Sequence, residues 1–178
     1  AKIHYYIGDF DWAQTQLDVL KASTSKLISN DAIDLSLLIT DNYNMDTTTV
    51  PMEMFAQAEL LTYQGYDEMA FTKLDSITSI WQDHSLTDDI YMLKGDIYYE
   101  NGDFEKAKEM YQFVYDIYSI DINGDNALFN LAELNHYIFN DLTTAQQQYE
   151  TLLTEFPASL FVIESRKRFR ELRGDSIN

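Results

Sequence analysis

The sequence has no cysteine, only two prolines and six glycines in 178 residues, and just 12 cationic side chains against 30 carboxylates. The missing cysteine removes disulfides, zinc-thiolate sites and cysteine nucleophiles together. So few breakers leave little material for the many turns of an all-β fold and suit long helices joined by brief turns. The formal net charge of −18 works against a nucleic-acid partner, because a phosphate backbone would meet repulsion and release no counterions in return. No apolar run approaches the roughly 20 residues that a membrane-spanning helix needs. Ala1 to Ile7 lacks the basic start and apolar stretch of a leader, so any targeting segment is expected upstream of this sequence.

What is abundant is apolar and aromatic: 46% hydrophobic residues, with 13 Tyr and 10 Phe, enough for one continuous core of ordinary domain size. The charge is uneven. Residues 166–178 hold five cations against two carboxylates, net +3, and residues 1–165 hold seven against 28, net −21.

Four turn signals organise the chain: Gly8-Asp9-Phe10, Gly65-Tyr66-Asp67, Gly102-Asp103-Phe104 and Asn140-Asp141-Leu142. Gly and Asn tolerate the left-handed backbone that ends a helix, and a following Asp can cap the next one. Five residues after each joint stands an alanine (Ala13, Ala70, Ala107, Ala145). Nine after it comes a large side chain (Leu17, Leu74, Tyr111, Tyr149), and twelve after it Leu20, Ile77, Val114 and Leu152. A small residue lets the two helices of a hairpin approach closely, and the apolar residues further along fill the gap to the next hairpin.

Tyr91 to Val114, reading YMLKGDIYYENGDFEKAKEMYQFV, resembles a tetratricopeptide repeat. Phe129 to Pro157 is similar, with Glu133 where the family usually has a small residue. Met54 to Ile77 gives a third such repeat, with Ala58 as the small residue, and residues 1–25 resemble the second half of a fourth. The resemblance implies an all-α, right-handed solenoid of antiparallel helix hairpins. The expected divisions are a partial hairpin at 1–25, an extra helix and loop at 26–50, three repeats at 51–157 and a C-terminal capping helix at 158–178.

The interval between the first two joints is too long for one repeat. Its excess predicts a helix from Asn30 to Asn42, capped by Asn30 or Asp31, with Ala32, Leu35, Leu38 and Ile39 on one face, and then a mobile loop from Tyr43 to Val50. Such an extra helix is expected to break the up-down alternation. The incomplete hairpin at the start leads us to expect the last repeats of a longer chain, packed on further repeats upstream. At the other end, Ser159 is expected to cap a helix burying Phe161, Val162, Phe169 and Leu172.

Signals for catalysis or metal binding are weak. Asp121-Ile122-Asn123-Gly124-Asp125-Asn126 imitates a calcium loop, but its glycine falls two residues early and Ala132 stands where a bidentate carboxylate is needed. It reads as a turn capped by Asp125 or Asn126. His4, His84 and His136 form no ligand pair, His4 and His136 read as core-lining residues, and Ser23 with Lys26 is a lone S-x-x-K without its companion motifs. No enzyme activity, cofactor or metal is expected.

The family resemblance implies a groove lined by the first helices of successive hairpins, with Tyr5, Tyr6, Phe55, Glu59, Tyr63, Met92, Asp96, Tyr99, Asn130, Leu134 and Tyr137 facing it. It implies a scaffold that binds a protein or peptide segment, and a bacterial protein of the periplasm or cell envelope, with the cytoplasm as the other setting. Two alternatives stay open: a structural spacer within a longer chain, and an accessory domain of an enzyme.

Overall fold

A computed structural model describes residues 1–22, 26–43 and 48–175. Ser23 of the S-x-x-K string and residues 44–47 of the expected loop lie outside the described residues. All regular structure among the described residues is helical. The chain forms two compact units, Ala1–Ile90 and Tyr91–Asn178.

The first unit holds α1 (Lys2–Tyr6), α2 (Phe10–Leu20), α3 (Lys26–Tyr43), α4 (Val50–Tyr63) and α5 (Asp67–Ile80), and ends in the first residues of α6 (Thr87–Glu100). α1 packs on α2, and α4 on α5. At both joints a glycine takes the left-handed conformation, Gly8 with φ 79° and Gly65 with φ 78°. The following amide reaches back five residues to close each helix, Asp9 N–H to the His4 carbonyl at 2.8 Å and Tyr66 N–H to Leu61 at 2.9 Å. The alanines after the joints, Ala13 and Ala70, are fully buried, and so is Ala58.

The extra helix is longer than the sequence predicts. Asn30 and Asp31, expected as its cap, lie one turn inside α3. Polar residues at its start are accommodated locally: the Ser29 hydroxyl donates to the Lys21 carbonyl at 2.9 Å. Ala32 and Ile39 are buried as expected, and α3 packs against both α2 and α4. Near its end Asn42 is buried and donates to the Leu38 carbonyl and to Asp89 Oδ2, each at 3.0 Å. Leu20, expected to fill a gap between hairpins, is exposed; α2 ends on Leu20 itself, so no further helical turn covers it.

The second unit holds the rest of α6, then α7 (Phe104–Tyr118), α8 (Gly124–Glu133), a π-helical turn (Leu134–Ile138), α9 (Leu142–Glu155) and α10 (Val162–Arg173). α7 packs on α8, α8 on α9, and α9 on α10. One cluster joins Met92, Ala107, Tyr111, Val114, Ala127, Leu131 and Leu134. A second joins Ala132, Ala145 and Tyr149, and Phe129, Phe169 and Leu172 pack against it. α10 therefore covers the last hairpin as expected. Its start differs slightly: α10 begins at Val162, and the Ser159 hydroxyl instead accepts from the Phe161 amide at 3.1 Å in the turn before it. Of the three joint aspartates at N-cap positions, Asp9, Asp103 and Asp141, only Asp141 caps with its side chain, accepting from Thr144 N–H at 3.1 Å.

The π turn explains a difference in spacing. The joints at Gly65, Gly102 and Asn140 lie 37 and then 38 residues apart. At the first three joints the closing amide bonds to the carbonyl five residues back, whereas Asp141 N–H bonds to Asn135, six back, at 2.8 Å. One extra residue of the last repeat is wound into the wide turn ahead of the joint. Positions upstream of that turn are thus displaced by one. Ala132, fully buried in the core of the hairpin, is the counterpart of Gly95, and Glu133 that of Asp96. The repeat does carry its small residue; reading back from the joint at fixed offset had put Glu133 in that place.

Candidate functional site

The residues expected on the groove are spread over both units and differ in exposure. In the first unit Tyr5 and Phe55 are buried, Tyr6 and Glu59 are partly buried, and Tyr63 is 84% exposed. In the second, Met92 and Leu134 are buried, Asn130 is partly buried, and Asp96, Tyr99 (42%) and Tyr137 (50%) are exposed. Leu134 faces inward for the reason just given: it lies at the displaced register, in the core position that Ile97 fills in the preceding repeat.

The structure also shows a polar pairing that the sequence reading missed. The carboxylate at one register of each first helix accepts from a tyrosine hydroxyl. Tyr111 donates to Asp96 at 2.7 Å, and Tyr149 donates to Glu133. Both tyrosines stand nine residues after their joints. Where that ninth position is Leu74, the carboxylate Glu59 is served from α1 instead, by the hydroxyl of Tyr5. A signal for this existed in the sequence, an acidic residue six before the joint paired with Tyr nine after it, but the π turn obscured it in the last repeat.

The Glu59 carboxylate sits among protein atoms more than in water. Loss of hydration raises the pKa of Glu59, with the Tyr5 hydrogen bond and Lys2 opposing. Asp96 keeps residue surface in solvent, yet crowding of its carboxyl raises its pKa as well, opposed by the Tyr111 hydrogen bond and assisted by Glu100. The linkage follows. An acid whose pKa is higher in the folded state contributes stability that is fully present below the unfolded value and is lost as pH rises through the folded value. Asp96→Asn keeps an acceptor for Tyr111 and removes the ionisation. We expect the decline in urea midpoint from about pH 4 to about pH 7 to be smaller in the variant; equal declines would show that Asp96 ionises as freely folded as unfolded.

Glu133 differs from the other two in forming an ion pair with an arginine. Arg168 of α10 places Nε 3.6 Å from Glu133 Oε1, pairs with Glu164 at 2.8 Å and Glu171 at 3.6 Å, and lays its guanidinium 5.1 Å from the Tyr137 ring centre. The His136 ring stacks on Tyr137 with centres 4.0 Å apart, and His136 Nδ1 lies 3.4 Å from the Tyr149 hydroxyl. His4 Nδ1 lies 3.4 Å from Asp9. His4 and His136 are thus partly buried groups within local polar contacts.

The calcium-like string folds otherwise than its pattern suggests. Asn123 is the N-cap residue and α8 begins at Gly124, so Asp125 and Asn126, expected as caps, lie in the first turn. No group of three potential metal-ligating side chains occurs among the described residues, and no described helix is long and apolar enough to cross a membrane.

Stacked helix hairpins with a left-handed joint, a buried alanine behind it and a small residue opposite define a helical-repeat protein. Comparison with protein families matches residues 89–118 and 126–159 to the tetratricopeptide repeat, which supports reading these two hairpins as repeats of that family. No curated protein matches the chain. Repeats of this family generally mediate protein–protein interaction.

Proposed function

We propose that this chain is a non-enzymatic scaffold whose second unit binds a protein segment on the first-helix face that carries Tyr99 and Tyr137. The observation supporting it is that these two tyrosines, at the same place before successive joints, remain exposed while Ile97 and Leu134, just ahead of them, are buried. Tyrosine offers large contact area with few rotatable bonds, which suits an anchor. The acidic body steers neutral or basic segments toward the face, an effect that salt screens and that acts mainly on association rate.

The test is capture of a binding segment followed by substitution. Tyr99→Ala and Tyr137→Ala are expected to weaken binding, by about 2 kcal/mol for a hot-spot residue, with unchanged circular dichroism. Tyr99→Ala should have the larger effect, because Arg168 already covers part of Tyr137. Equal binding by both variants, or contact confined to the second helices, would reject this face. A second reading, a structural spacer, draws on the burial of Tyr5, Phe55, Met92 and Leu134, which commits much of the expected groove to packing within the chain.

A further inference from the structure

The last repeat shows what its carboxylate and tyrosine take up. Glu133 accepts from Tyr149, and the pair Glu133 and Tyr137 holds a guanidinium: Arg168 lies 3.6 Å from the carboxylate and 5.1 Å from the ring centre. The preceding repeat presents the same three groups in the same register. Asp96 accepts from Tyr111 at 2.7 Å, and Tyr99, like Tyr137, stands three residues before its joint. Asp96 and Tyr99 are one helical turn apart and so share a face of α6, with Glu100 beside them.

The difference is occupancy. Among the described residues Asp96 and Glu100 form no ion pair and no cation stands over the Tyr99 ring, which approaches Phe104 edge-on at 5.4 Å. Leu131 and Leu134 pack in the cluster of Tyr111 as Phe169 and Leu172 pack in that of Tyr149, so the counterpart of Arg168 of α10 is Asn130 of α8, partly buried. The neighbouring helix therefore supplies a cation to the last repeat and an uncharged amide to the one before it.

We propose that the Asp96, Tyr99 and Glu100 face takes an arginine of the bound protein segment, held as Arg168 is held by Glu133 and Tyr137. Arginine fits better than lysine, because its planar fork can lie on the ring while its N–H groups reach the carboxylates. The surrounding charge agrees, at net −21 over residues 1–165. Loss of hydration, and then Glu100, raise the pKa of Asp96, with the Tyr111 hydrogen bond opposing. A partner's guanidinium would oppose the rise as well.

This inference rests on the reading that the face binds a protein segment, and the experiment separates the two. Peptides are selected from a random dodecapeptide display library on the full chain. The best binders are resynthesised with each arginine replaced by citrulline, which keeps the shape and removes the charge. Enrichment of arginine at one peptide position is expected, with citrulline there lowering affinity about tenfold, as for a charge-assisted hydrogen bond with ring stacking. The same replacement should cost little on Asp96→Asn, and its full cost should persist on Asp116→Asn, which makes the same charge change on α7. Peptides that need Tyr99 but show no coupling between an arginine and Asp96 would overturn the arginine assignment and leave the binding face standing. Failure to enrich any peptide whose binding is lost in Tyr99→Ala and Tyr137→Ala would overturn both.

Discussion

Truncation of the chain after Ala158, which removes α10, is expected to make the protein aggregate or to lower its melting temperature sharply. Phe161 stacks on Phe129 at 4.6 Å, and Phe169 and Leu172 pack against Ala132, Ala145 and Tyr149. Removing them returns the last hairpin's packing surface to water. Each fully buried side chain of this size is worth roughly 1.5–3 kcal/mol, and these three are partly buried, so the apolar loss is on the order of 4 kcal/mol. That is a large share of a typical folding free energy. Arg168 leaves with the helix, so Glu133 loses its cation as well. Phe169→Ala alone should act in the same direction and remain soluble enough to measure. An unchanged melting curve for the truncated chain would show that α10 stabilises nothing.

Gly124→Ala is expected to cost about 2–3 kcal/mol, more than alanine at a joint glycine. A Cβ on Gly124 would stand 2.1 Å from the Ser119 carbonyl oxygen and 2.6 Å from its carbon. Both are backbone atoms, so no side chain can turn aside, and the link between α7 and α8 must shift. Gly65 provides the comparison. A Cβ there meets nothing within 4 Å, and its φ of 78° makes the cost one of left-handed backbone alone, roughly 1–2 kcal/mol. Urea unfolding of the two variants should rank Gly124→Ala as the more damaging. The reverse ranking would mean that the α7–α8 link yields easily.

The hairpins were legible because both of their requirements are local. A left-handed residue and a small residue at fixed distance follow from backbone geometry, and Gly8, Gly65, Gly102 and Asn140 all have positive φ with a buried alanine five residues on. The site was legible only in part. Periodicity assigned a face to each first helix, but it could not tell Tyr99, which stays exposed, from Met92, which a neighbouring helix buries. The π turn displaces every position ahead of it by one residue, so a fixed offset from the joint puts Glu133 in a core place and Leu134 on the groove. Gly124 was read in a metal-loop pattern although its reason is the Ser119 carbonyl, a contact no spacing rule contains.

The tyrosine–carboxylate pairs bear on how a partner would be received. Each hairpin of the second unit is closed at one end by its joint and latched partway along, Tyr111 to Asp96 and Tyr149 to Glu133, by a bond from second helix to first. Loss of that bond would leave a buried phenol without its acceptor, which holds the two helices of a repeat together. A segment arriving at the first-helix face meets helices already held in place, and little of the association free energy goes into ordering the receiver.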